Sequence, residues 1–289
     1  MKKTVFCALT LLLAVPWSLA QTAKEKPAAT DSATVAPKTT HVEDDGDRIT
    51  IARGKFSDTS KPGTLKIAVP YRKLEIKGVS GDEVIIVSEL KQKGKPRVDA
   101  EGFYRLDDLD TFDLVEKGNV AELQVRRDQH RPAKFKVYVP WNTNLLIEES
   151  DSADIEIEET RGAVEIQISE SSERGGGSID LEDVTGPMTI NTNVDKISFE
   201  IEQPLQNPVS ITTQRDGMPM EFKLPENASA TFLIRAGLPK LRTNFPKEKI
   251  RIIGDSPSEE AQTIHLNGGG AEIQITASYD STITIKKDD

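Results

Sequence analysis

From about residue 64 onward the chain repeats one short pattern: apolar, polar, apolar, then a turn. Leu65-Lys66-Ile67, Leu74-Glu75-Ile76, Phe135-Lys136-Val137, Ile155-Glu156-Ile157, Val164-Glu165-Ile166, Ile179-Asp180-Leu181, Phe199-Glu200-Ile201, Ile264-His265-Leu266, Ile273-Gln274-Ile275 and Ile283-Thr284-Ile285 are instances. A period of two sets the apolar side chains on one face of a strand and the polar ones on the other. Recurrence at roughly ten-residue intervals predicts many short strands that share one core. A lone rung of this kind is unstable. Each buried aliphatic contributes ~1.5–3 kcal/mol, and a rung holds only two or three of them, whereas ordering the backbone costs ~1–2 kcal/mol per residue. Rungs must stack, completing one another's hydrogen bonds and sharing the apolar face. The expected fold class is all-β: a β-solenoid of short stacked strands, with essentially no helix beyond the N-terminal segment.

The first twenty residues read as an export signal. Lys2 and Lys3 precede an apolar run, Val5 to Val15, interrupted only by Thr10. Pro16 ends the run, and Ser18-Leu19-Ala20 places small residues before Gln21. The run is shorter than the ~20 apolar residues that span a bilayer, and no later segment approaches that length. The expectation is cleavage near Ala20-Gln21 and a periplasmic or extracellular chain with no transmembrane segment. Cys7 is the only cysteine and lies inside the signal, so disulfides and a thiol nucleophile are excluded after cleavage.

The chain has 37 basic and 47 acidic residues, a net charge of −10. Removing Lys2 and Lys3 makes it −10 − 2 = −12. Nucleic acid is excluded as a partner, because phosphates require a basic footprint. An acidic soluble surface, a bound cation or a basic partner is compatible.

Residues 21–47 are rich in Ala, Thr, Lys, Pro, Asp and Glu and read as a disordered linker. Residues 48–289 are expected to form a single domain. Its first part predicts strands over 64–69, 73–77, 83–88, 120–126 and 134–139, with an irregular loop or excursion carrying a hairpin at 91–119. Regular rungs are expected from 140 to 289. Turn chemistry separates them at Asp151-Ser152, Thr160-Arg161-Gly162, Gly175-Gly176-Gly177, Thr185-Gly186-Pro187, Asn207-Pro208 and Asp216-Gly217.

Three stretches carry a family likeness: Leu74 to Val87, the strand entry Val137-Tyr138-Val139-Pro140-Trp141-Asn142-Thr143-Asn144-Leu145, and the ending Leu266-Asn267-Gly268-Gly269-Gly270-Ala271-Glu272-Ile273-Gln274-Ile275. With the rungs Ile155 to Ile190 between them, the chain resembles the bacterial exported "putative adhesin" domain family. That is a family of unknown function related to auto-transporter adhesin head domains. The resemblance covers about residues 64–289 and implies a β-solenoid with no established catalytic residues. The chain departs from the family in the 91–119 insertion and at Tyr279-Asp280-Ser281, where a glycine turn is commoner.

The best carboxylate array is Asp154, Glu156 and Glu158, alternating with Ile155 and Ile157. Aligned rungs ~4.8 Å apart would bring Glu165, Asp180 and Glu182 beside them. Repulsion in such a column is relieved by a bound Ca²⁺ or by interleaved cations such as Arg161 and Lys196. The spacing is specific for no metal, so a solvated acidic face is preferred and no cofactor is expected. Gly175 to Gly177 and Gly268 to Gly270 lead into no helix and read as tight corners rather than phosphate loops. His41, His130 and His265 lack metal-ligand spacing. Trp141, after Pro140, is expected to cap the core, and Tyr138 to point outward.

These observations favour an exported, non-enzymatic structural or adhesive module whose partner is a surface glycan or an envelope protein. Two alternatives remain. One is a carbohydrate-active β-helix lyase or hydrolase in which Arg126, Arg127 and Arg131 converge on Asp107 to Asp113. It is disfavoured by aromatic residues at only 5% of the chain, since sugar-cleaving clefts stack their substrates on exposed rings. The other is an accessory or regulatory envelope protein that binds a partner through the exposed edge of its terminal coil.

Overall fold

In the computed structural model the described residues are 38–44, 47–68, 73–90, 112–125, 134–149, 154–168, 176–253 and 261–288. All belong to one compact unit, Thr34–Asp289. They are all-β, with one 3-10 turn at Lys247–Lys249 and no α-helix among them. None of their helices is long and apolar enough to cross a membrane.

Two eleven-stranded sheets are built. The first carries, in spatial order, β1 (Lys38–Asp44), β2 (Asp47–Lys55), β5 (Glu83–Leu90), β8 (Lys134–Pro140), β4 (Lys73–Val79), β10 (Asp154–Glu158), β12 (Ser178–Glu182), β14 (Lys196–Glu200), β16 (Pro219–Leu224), β22 (Thr282–Lys287) and β18 (Lys240–Thr243). The second carries β19 (Ile250–Ile253), β20 (Ala261–Leu266), β17 (Ala230–Arg235), β21 (Ala271–Thr276), β15 (Val209–Thr213), β13 (Met188–Thr192), β11 (Val164–Ile168), β9 (Asn144–Glu149), β3 (Thr64–Ala68), β7 (Val120–Val125) and β6 (Phe112–Lys117). Both sheets are mixed and end on edge strands rather than closing.

From β9 to β18 successive strands alternate between the sheets. Along β9 to β16 each strand pairs in parallel with the one two places earlier, as in β9–β11–β13–β15 and β10–β12–β14–β16. The register aligns like with like. Ile76, Ile157, Leu181, Phe199, Phe222 and Ile285 form one inward row across the first sheet. Ile67, Ile147, Ile166, Ile190, Ile211 and Ile275 form its counterpart on the second. All twelve are buried. A one-residue slip would expose every one of them, so burial pins the register. Phe199 stacks on Phe222 with centroids 4.8 Å apart, and Phe222 meets Phe232 of the opposite sheet edge-on at 5.4 Å.

Pairing is not sequential at the two ends. β4 lies between β8 and β10, and β3 between β7 and β9. The C-terminal strands return in the same way: β21 slots between β15 and β17, and β22 between β16 and β18.

One expectation is corrected. The linker expected over 21–47 is shorter at its C-terminal end, because Lys38–Asp44 is a strand paired antiparallel with β2. Composition misses it because its order comes from the hydrogen bonds of a neighbouring strand rather than from its own apolar content. Within the excursion expected at 91–119, residues 112–117 form the first strand of an antiparallel hairpin with β7. Its turn uses Gly118 and Asn119 at φ of 62° and 69°, the left-handed region that these two residue types tolerate best. Residues 1–37, where the export signal and most of the linker were expected, and residues 91–111 lie outside the described residues.

Candidate functional site

Of the carboxylates singled out in the sequence, Asp154, Glu156, Glu158, Asp180 and Glu182 lie on the outer face of the first sheet, and register decides their neighbours. Glu156 is beside Asp180, and Glu158 is beside Glu182. Glu165 is not with them: it sits on β11 in the second sheet, beside Thr189 and Leu146. Period two predicts which face a residue takes within its own strand, but not which sheet the strand joins.

Lysines relieve the repulsion in this column. Lys73 Nζ lies 2.8 Å from Glu75 and 2.9 Å from Glu156, and Lys134 reaches Glu75 at 2.8 Å. Lys77 lies 2.8 Å from Glu158 and 3.0 Å from Glu159. Hydrogen bonds to Glu75 and then Glu156 hold the Lys73 ammonium well above its ordinary pKa, and Glu158 and Glu159 do the same for Lys77. Burial works to raise the Glu75 carboxyl, but the hydrogen bonds from Lys134 and Lys73 together outweigh it and leave the pKa lowered. Asp154 accepts from the Ser178 amide at 3.1 Å. Among the described residues no three carboxylate or imidazole groups converge as metal ligands.

Glu182 is the exception in the column. It stands in register between Glu158 and Glu200, and no lysine is bonded to it among the described residues. Burial, then Glu158, Glu200 and Asp183, push its carboxyl up.

The second feature is the edge where the chain passes from the first sheet to the second. Its corners stack directly on one another. The β8–β9 corner has three residues (141–143), the β10–β11 and β12–β13 corners five each (159–163 and 183–187), and the β14–β15 corner eight (201–208). Backbone bonds join them: Arg161 N–H donates to Trp141 O at 2.7 Å, and Thr185 N–H to Thr160 O at 2.9 Å. A Cβ on Gly162 would lie 2.1 Å from Thr143 O, and one on Gly186 only 1.9 Å from Gly162 O. Glycine is therefore what lets these corners touch. The Thr143 and Thr160 hydroxyls are buried beneath them with no hydrogen-bond partner among the described residues.

Short corners between bulkier neighbours leave a trough. Trp141 stands at its middle, 37% exposed, with the Arg161 guanidinium 4.9 Å above its ring. Trp141 is thus a surface residue, not the core cap expected of it, because the corner turns its indole outward over Gly78. On one side lies a cleft of about 410 Å³ lined by Glu159, Arg161, Asp183, Gln203 and Asn207. On the other lies one of about 310 Å³ lined by Thr59, Lys61, Gly81, Asp82 and Asn142. Both share the indole. The protruding eight-residue corner walls the larger cleft, anchored by Asn207 Nδ2 donating to Thr185 O at 2.8 Å and by Glu202 N–H donating to Asp183 at 2.9 Å. The uneven corner lengths were the only trace of this trough in the sequence.

The remaining candidates fall elsewhere. Tyr138 points outward as expected, beside a hollow of about 210 Å³ with Glu75 and Glu158. His265 is half-buried on an outer face, its Nδ1 3.2 Å from Thr231 Oγ1. Gly268 and Gly269, at φ of 87° and 94°, make the β20–β21 turn. At the terminal edge, β19 exposes Ile252 and Ile253. Arg126, Arg127, Arg131, His130, Asp107 to Asp110 and Gly175 lie outside the described residues, as do the side chains of Asp113 and His41.

No family model matches the sequence, and no curated protein does. Among solved structures the chain is similar to a "putative cell adhesion protein" from Clostridium sporogenes, at 13% identity and a TM-score of 0.43, over 87% of this chain and 100% of that one. It is also similar to a "putative adhesin" from Bacteroides fragilis, at 8% identity and a TM-score of 0.29, over 83% and 97%. Both scores fall below the level at which a common fold is shown.

Proposed function

We propose that this chain is an exported, non-enzymatic β-solenoid that serves as an adhesin-like interaction module of the bacterial cell envelope. The single observation that carries this reading is the in-register parallel stacking, which turns each outward position into a row. Lys77, Glu158, Glu182, Glu200, Lys223 and Lys286 stand side by side on six successive strands. Rows at strand spacing, ~4.8 Å apart, present a long ordered array of polar groups. Such an array suits a repetitive surface better than a single small substrate. The two-sheet path, alternating strand by strand, supports the solenoid, and the resemblance noted in the sequence supports the adhesive role.

The test immobilises the chain on a surface. It is then probed with an array of cell-surface polysaccharides and purified envelope proteins, and release of reducing ends is measured in the same wells. Saturable binding without product is the expected result. Release of reducing ends, or binding to nothing in the array, overturns the proposal.

A further inference from the structure

The corner-edge trough centred on Trp141 has chemistry that the outer sheet faces lack. An exposed indole sits between two clefts, the larger of them mainly polar, and its N–H has no partner among the described residues. The amides of Gln203 and Gln206 are likewise unengaged there, and Asn207 spends only its Nδ2 on the Thr185 carbonyl. Donors and acceptors without partners, gathered beside an aromatic surface, fit a hydroxyl-rich ligand.

Charge narrows the class. Glu159 is neutralised by Lys77 at 3.0 Å, Arg161 lies over the Trp141 ring, and Asp183 accepts the Glu202 amide. The larger cleft thus sets the single cation Arg161 against the two carboxylates Glu159 and Asp183, a poor balance for a phosphate, sulfate or uronate. Its carboxylates, in a chain of net charge −10, disfavour an anionic polymer further. Shape narrows it again. The two clefts follow one another along the direction in which corners stack, and strand spacing sets successive corners ~4.8 Å apart, close to the length of one pyranose ring. A linear polymer of neutral sugars lying along the edge would meet one corner per ring.

We infer that this trough binds a linear, neutral oligosaccharide, with the part of the Trp141 indole that Arg161 leaves exposed as the stacking platform and Gln203, Gln206 and Asn207 as its hydrogen-bonding wall. The inference rests on the proposed interaction role and names the ligand class for one site of it.

The probes are cellohexaose and chitohexaose, with polygalacturonate as the anionic control. Tryptophan emission is read in the full-length chain carrying W17F, in which Trp141 is the only indole, and binding is measured by calorimetry. The expected result is saturable binding of at least one neutral hexamer with a shift in Trp141 emission, and none with polygalacturonate. Losing the stacking surface in W141A should weaken binding about tenfold or more, with W141F intermediate. Q203A, on an exposed corner, should weaken it without touching Trp141, so a misfolded W141A cannot rescue or sink the inference alone. Binding of neither hexamer overturns it, as does binding that leaves Trp141 emission unmoved and is unchanged in Q203A and W141F. If the immobilised chain still captures an arrayed polysaccharide in those cases, the trough is wrong and the interaction role stands. If it captures nothing, both fall.

Discussion

Gly186→Ala tests the close stacking of corners on which the trough depends. Gly186 is buried in the β12–β13 corner, and an added Cβ would lie 1.9 Å from Gly162 O, 2.6 Å from its carbonyl carbon and 2.8 Å from Arg161 O. Ordinary contact begins at 3.4 Å, so the corners must part by 3.4 − 1.9 = 1.5 Å. The obstacle is backbone, which cannot swing aside as a side chain does. Parting of that size breaks the 2.9 Å bond from Thr185 N–H to Thr160 O. Stranding a buried carbonyl costs ~1–3 kcal/mol, and disturbing the packing of buried Val184 and Thr160 beside it adds ~1–3 kcal/mol. A loss of roughly 2–6 kcal/mol is expected. The control is Gly217→Ala. Gly217 has φ of 68° with open space around it, so alanine there meets only left-handed backbone strain, ~1–2 kcal/mol. Urea denaturation followed by far-ultraviolet circular dichroism measures both. G186A losing no more stability than G217A would refute the direct contact between corners.

Phe222→Ala should cost ~3–5 kcal/mol in the same assay, because it empties a site between Phe199 and Phe232 that no other side chain fills. A loss under about 1 kcal/mol would mean that the two sheets do not share this core. Thr160→Val should raise stability by about 1 kcal/mol, since it removes a buried hydroxyl without a partner among the described residues; destabilisation would show that the hydroxyl is satisfied. Glu182→Gln should stabilise the fold modestly at neutral pH, by less than about 1 kcal/mol once solvent screening is counted. The Glu182 pKa is raised by burial and by the flanking carboxylates, so the folded state holds its proton over a range where the unfolded state has lost it. Its stability therefore falls as pH rises through that range. The advantage of E182Q should vanish at acid pH, where Glu182 is protonated in both states, and an advantage that grows on acidification would contradict the assignment.

The strands from β3 to β17 with clean alternation were legible because the signal is local: Ile155-Glu156-Ile157 can bury its isoleucines in an extended chain only by turning Glu156 outward. β1, β18 and β19 were not legible, since their order depends on partner strands and their own burial is slight. Of the carboxylate face, the pairing of Glu156 with Asp180 followed from stacking, while Glu165 went to the other sheet. The lysines that neutralise the face come from β4, some eighty residues earlier in the chain (Lys77 and Glu158 are 81 positions apart). Trp141 was misplaced because a tryptophan after Val-Pro looks alike whether its corner turns in or out.

The sequence by itself determined that the protein is all-β and which side chains are dry, because period-two sterics act within each strand and need no partner. Only the tertiary structure decided which rungs lie side by side: β4 against β10, and β22 between β16 and β18. Apolar rungs present nearly the same face to any neighbour, so burial alone cannot choose among them. The choice falls to corner length and to backbone contacts as close as Gly186 on Gly162, which exist only once the chain has folded back on itself.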